Sequence, residues 1–86
     1  MEIQLLYYSL IAEKKMGDGS MIPQNQDLIF IKKDDDGLMF FETVNDDCKK
    51  LFWASEDEVK FEQTSMQTWD EEKINERNRY INGEFL

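Results

Sequence analysis

Residues 27–44 read DLIFIKKDDDGLMFFETV, and this stretch decides the fold. Two short apolar runs, Leu28-Ile29-Phe30-Ile31 and Leu38-Met39-Phe40-Phe41, are rich in the β-branched and aromatic residues that suit a pleated strand. Asp36-Gly37 stands just before the second run, and this pair predicts a hairpin closed by a tight primed turn, where positive φ is needed. Both parities of both runs are apolar, so each strand wants cover on two faces and the hairpin should be central. Ile29, Phe30, Ile31, Leu38 and Phe40, together with Tyr7, are expected to be mostly buried. Lys32, Lys33, Asp34, Asp35 and Asp36 project at the tip into water.

Working outward, residues 2–12 (EIQLLYYSLIA) read as a second inner strand, apolar on both faces beyond Leu5. Two adjacent tyrosines favour strand over buried helix. Residues 13–26 carry two glycines, the one proline, Ser20 and Asn25, and so read as a long loop. Loops longer than about 12 residues are uncommon in compact domains. Gly17 to Ser20 lacks the spacing of a phosphate loop and no helix follows it. Met16, Met21 and Ile22 are the residues that could anchor the loop on the core or meet a partner.

After the hairpin, Asn45 as N-cap, acids in the first turn and Cys48, Leu51 and Phe52 at helical spacing predict a short helix over residues 45–53. Residues 56–63 alternate, with Asp57, Val59, Phe61 and Gln63 against Glu56, Glu58, Lys60 and Glu62. That predicts a strand with one apolar and one acidic face, and so a sheet edge or a one-sided position. Thr68 and Glu71 form a capping-box pattern ahead of a helix from Trp69 to about Asn82, with Gly83 as its stop. Phe85 and Leu86 either fold back on the core or fray. The expected architecture is one α+β domain over residues 1–86. An antiparallel sheet of about four strands carries the C-terminal helix on one face, with the short helix between strands three and four.

Charge narrows the function. The 86 residues hold 19 acids and 10 bases, a net charge of −9. Residues 1–33 contain four of each sign, so all the imbalance lies in residues 34–86, where fifteen acids meet six bases. Such a chain is repelled by nucleic acid and anionic membranes and attracted to basic surfaces. Solubility alone is the plainer account of the same charge. Hydrophobic residues at 41% and aromatics at 13% argue against disorder. The lone Cys48 forms no internal disulfide and fits a reducing compartment. With no long apolar run and no leader pattern, the expectation is a cytoplasmic protein, in the host cytoplasm if it comes from a phage, without membrane association.

The absence of histidine removes the commonest general base, the Ser-His and Cys-His nucleophile systems, and Cys/His zinc sites. Asp34 to Gly37 imitates part of a calcium loop. With Gly37 at the sixth position, however, Lys32 and Thr43 fall where the first and twelfth ligands belong. No catalytic residue, cofactor or metal is therefore expected, and the chain is not expected to be an enzyme.

The acids themselves are the candidate site. Glu56, Glu58 and Glu62 on one strand face would be spaced by multiples of about 6.6–6.8 Å, a regular row beside the denser charge of duplex DNA, one per roughly 1.7 Å. Asp34, Asp35, Asp36, Asp46, Asp47, Asp70, Glu71, Glu72 and Glu76 would extend it. In size and charge the chain is similar to the small acidic inhibitors of bacteriophages, such as uracil-DNA glycosylase inhibitors, anti-restriction proteins and some anti-CRISPR proteins. That compositional similarity implies a partner with a basic, nucleic-acid-binding groove. Two other readings stand beside it. One is an interaction or homodimer-forming module using exposed aromatics among Tyr7, Tyr8, Phe52 and Trp53. The other is a small-molecule binder with the methionine-containing loop as lid.

Overall fold

The computed structural model describes residues 1–45 and 49–82, leaving aside the Tyr80 side chain. Its strands are β1 (Glu2–Leu10), β2 (Lys14–Lys15), β3 (Met21–Ile22), β4 (Asp27–Lys33), β5 (Met39–Thr43), β6 (Leu51–Ala54) and β7 (Val59–Thr68). A 3-10 turn spans Glu56–Glu58, and a helix, α1, spans Glu71–Ile81. The main sheet is antiparallel in the order β6-β5-β4-β1-β7, and β2 and β3 form a separate two-stranded ribbon. The α+β class, the central hairpin, the inner β1, the edge position of residues 59–63 and the C-terminal helix are as the sequence predicts. The sheet has five strands rather than about four.

The extra strand replaces the expected short helix. Leu51–Ala54 pairs with β5, Phe52 opposite Phe41 and Trp53 opposite Phe40. Asn45 has a φ of 60°, left-handed rather than the extended backbone of an N-cap. Asp46, Asp47 and Cys48 lie outside the described residues, as do Gly83, Phe85 and Leu86. The physical reason for the change is partnership. Pairing on the open edge of β5 satisfies backbone groups there and buries Phe52 and Ala54 at 4% and 1% exposure.

The hairpin turn also differs in detail. The Asp34 N–H donates to the Leu38 carbonyl at 2.9 Å and the Gly37 N–H donates to the Asp34 carbonyl at 3.2 Å. Only Gly37, at φ 89°, is left-handed, so the loop is an ordinary turn followed by a glycine and not a primed turn. Asp34 Oδ1 completes it, accepting from the Asp36 and Leu38 N–H groups at 3.0 and 2.8 Å.

Five residue steps from Ala54 to Val59 reach at most about 18 Å, and less through a 3-10 turn. A flat five-stranded sheet separates its outer strands by about 19 Å. The sheet therefore curls, and every main strand contributes to one cluster: Leu10, Leu28, Met39, Phe41, Phe52, Ala54 and Val59. Ile22 of β3 closes it from the residue 13–26 arm, with Met16 half-buried beside it and Met21 exposed.

The opposite parity makes a second, smaller layer. Leu5, Ile31 and Phe40 are buried outside that cluster. Tyr7 and Ile29 are half-buried, Phe30 is half-buried against the first cluster instead, and Leu38 is exposed at 39% because it sits at the turn. Helix α1 packs against β4 and is moored by two cations on backbone oxygens. Arg77 donates to the Phe30 carbonyl at 3.1 Å, and Lys32 donates to the Ile81 carbonyl at 2.9 Å, where the helix dipole is negative. No described helix is long and apolar enough to cross a membrane.

The helix cap lies two residues beyond the expected one. β7 pairing continues to Thr68, so that residue is committed to the sheet. Asp70 caps instead, its Oδ1 accepting from the Lys73 N–H at 2.9 Å and its carbonyl from the Ile74 N–H at 3.1 Å. Asp70→Ala should therefore cost about 1 kcal/mol, while Thr68→Ala costs less. Thermal melts of the two variants check this, and a larger loss from Thr68→Ala would sink the assignment.

Candidate acidic binding surface

The structure divides the candidate carboxylates into those with structural work and those without. Asp34 holds the hairpin turn and Asp70 caps α1, as described above. Glu58 reaches back from the 3-10 turn to the Ser55 N–H at 2.7 Å, and its Oε1 meets Lys14 Nζ at 2.8 Å. The Lys14 ammonium, aided by the Ser55 bonds, holds the Glu58 carboxyl below its usual range. Glu62 accepts from the Ser9 hydroxyl at 2.7 Å.

The expected strand row of Glu56, Glu58 and Glu62 does not form. Ser55 and Glu58 make a 3-10 turn, so Glu56 and Glu58 precede the strand and lack its 2-residue period. Glu62 is the extra residue of a bulge, since Tyr8 pairs with Phe61 and Tyr7 with Gln63. The sequence signal was available: Ser55 followed by Glu58 is itself a capping pattern.

Asp35, Asp36, Glu56, Glu71 and Glu72 are exposed, and among the described residues their side chains make no ion pair or hydrogen bond; Asp57 joins them. Of these, Glu56 lines an open groove of about 350 Å³ with Tyr8, Lys33, Met39, Val59 and Phe61, while Asp35 and Asp36 stand on the hairpin tip. Glu71, Glu72 and Glu76 stand on α1, a different element. Asp46 and Asp47 lie outside the described residues.

Two features were missed. Glu42, which follows the second apolar run, lies in β5 and is only 8% exposed. Its Oε2 accepts no well-aligned hydrogen bond and faces Lys49 Nζ at 3.1 Å. With Lys49, Trp69, Lys73, Glu76 and Arg77 it lines a cleft of about 170 Å³ under α1. Lys73 and Arg77 stand 5.7 and 5.8 Å from the Trp69 ring centre. Burial lowers the Arg77 pKa, opposed by the nearby Glu42 charge. Three cations against two carboxylates make this a charge-compensated joint that fastens helix to sheet, not part of the acidic surface. The second is Asp18, whose carboxyl accepts from the Ser20 hydroxyl at 2.6 Å and from its N–H at 2.9 Å, which lowers its pKa. These bonds shape the arm's turn, where Gly19 takes a φ of 91°.

Among the described residues no group of three or more Cys, Asp or Glu side chains is placed to hold a metal ion. No protein-family model, curated protein or solved structure matches the chain.

Proposed function

We propose that the protein is a non-enzymatic binding protein that docks its exposed carboxylates onto a basic groove of a nucleic-acid-binding protein, occupying the place of the phosphate backbone. The observation that carries this reading is the set of uncommitted carboxylates: Asp35, Asp36, Glu56, Asp57, Glu71 and Glu72 hold no other side chain or turn in place among the described residues. Residues 34–86 carry all nine net negative charges, so acids outnumber bases in the part of the chain that holds these groups.

Single exposed ion pairs contribute only about 0–1 kcal/mol, so the acids should act as a set. Reversing Asp35, Asp36 and Glu56 together to lysine should leave the melting temperature nearly unchanged and weaken partner binding by at least about tenfold. Binding should fall with salt, since screening sets in over about 8 Å at physiological ionic strength. The partner is first recovered from lysate at low salt, then titrated with each variant in the presence and absence of duplex DNA. DNA should compete. A partner that binds DNA and this protein together, or that ignores the triple reversal at both salt concentrations, would overturn the reading.

A second reading has one observation of its own. Trp53 is 38% exposed and Ile81 37% exposed, both beside Lys32. Under that reading Trp53→Ala abolishes binding and salt has little effect.

A further inference from the structure

We propose that the outer edge of β7 receives an extended, basic segment of the partner by strand addition; this rests on the acidic-surface reading and names the element that the surface takes. β7 is the last strand of the sheet order and is paired along one side only. Which of its backbone groups are free follows from its far end. The Trp69 N–H donates to the Met1 carbonyl at 2.9 Å and the Met1 amine donates to the Trp69 carbonyl at 3.2 Å. Antiparallel ladders alternate such mutually bonded pairs with pairs whose N–H and C=O groups turn away. Along the unbroken register, Ile3–Gln67 and Leu5–Ser65 are then bonded pairs, and Thr64, Met66 and Thr68 turn their backbone groups to the open edge. All three residues are exposed.

Edges left open in this way are usually blunted by charge, proline or brevity. β6, the other edge, is four residues long and follows Lys49 and Lys50. Residues 63–68 (QTSMQT) carry no charge and no proline within a ten-residue strand. Carboxylates outnumber bases at both ends of that neutral stretch: Glu56, Asp57 and Glu62 against Lys60 before it, and Glu2, Asp70, Glu71 and Glu72 against the Met1 ammonium and Lys73 around its close. Phe61 and Met66, 51% and 60% exposed, offer apolar contact along it. The complementary occupant has an uncharged, strand-forming middle and basic residues at both ends. A second copy fits poorly, because antiparallel pairing of two β7 edges sets the acidic end of one against the acidic end of the other.

The probe is a synthetic peptide of about ten residues with alternating threonine and valine between Lys-Arg and Arg-Lys ends, alongside a version N-methylated on alternate amides and one with glutamine ends. Met66→Pro removes an outward N–H and leaves the β1 ladder intact. Wild type should bind the basic peptide in a salt-dependent manner. Met66→Pro, with an unchanged melt, should bind at least about tenfold more weakly, and the N-methylated peptide should fail on wild type even if the proline variant does not fold. Failure of wild type to bind the basic peptide, or equal binding by a folded Met66→Pro, overturns strand addition. In the latter case persistent salt dependence leaves the acidic reading standing. Equal binding of the glutamine-ended peptide supports the edge and overturns the acidic reading. A wild-type dimer that becomes a monomer on Met66→Pro overturns the basic segment as occupant.

Discussion

Phe41→Ala is expected to cost about 3–5 kcal/mol and to lower the melting temperature by more than about 12 °C. Phe41 is fully buried on β5 and its ring meets Tyr8, Phe30 and Phe52 with centroids 5.2, 6.0 and 6.1 Å away. Those partners come from β1, β4 and β6, so the ring joins four strands at once. A domain of this size has about 5–15 kcal/mol in total, and losing 3–5 leaves little. Phe61 is the internal comparison. It touches the same Tyr8 ring at 5.4 Å but is 51% exposed on the edge strand. Phe61→Ala should cost far less, because it leaves no enclosed cavity. Equal losses from the two variants in chemical denaturation would refute the placement of the core.

Ile22→Ala is expected to cost about 2–5 kcal/mol, although the sequence around it reads as loop. Ile22 is 1% exposed and belongs to the same cluster as Phe41, delivered there by the β2–β3 ribbon. Lys14 anchors the ribbon from its other strand through Glu58. The neighbouring Met21 is 44% exposed, so Met21→Ala should be close to neutral. If both substitutions are neutral in thermal melts, the arm is an appendage and not a wall of the core.

What the sequence disclosed depended on how many signals agreed at each place. In residues 27–44 the apolar runs, the β-branched and aromatic residues and Asp36-Gly37 all pointed one way, and the hairpin is there. In residues 51–54, Leu51, Phe52, Trp53 and Ala54 are apolar throughout, which hides a period of two. The i, i+3, i+4 spacing of Cys48, Leu51 and Phe52 then imitated a helix, and only the open edge of β5 decides otherwise. Thr68 and Asp70 are both good caps, and the longer pairing of β7 with β1 selects the second. The acidic surface was legible as composition but not as geometry. Nothing local says that Glu58 and Glu62 are bonded to Lys14 and Ser9, 44 and 53 residues away. Glu42 gave no signal at all, because its environment is built by Lys49 and α1.

The pairing of β1 with β7 also sets a timetable. β1 takes as its outer neighbour β7, which is made after every other strand of this sheet, and the 3-10 turn comes just before it. Until Val59–Thr68 emerges, one side of β1 has nothing to bond to and the cluster lacks its Val59 wall. Contacts this far apart in the chain form slowly, because loop closure must precede any gain from burial. The native sheet should therefore form only after β7 has been made, in one late step that joins it to β1.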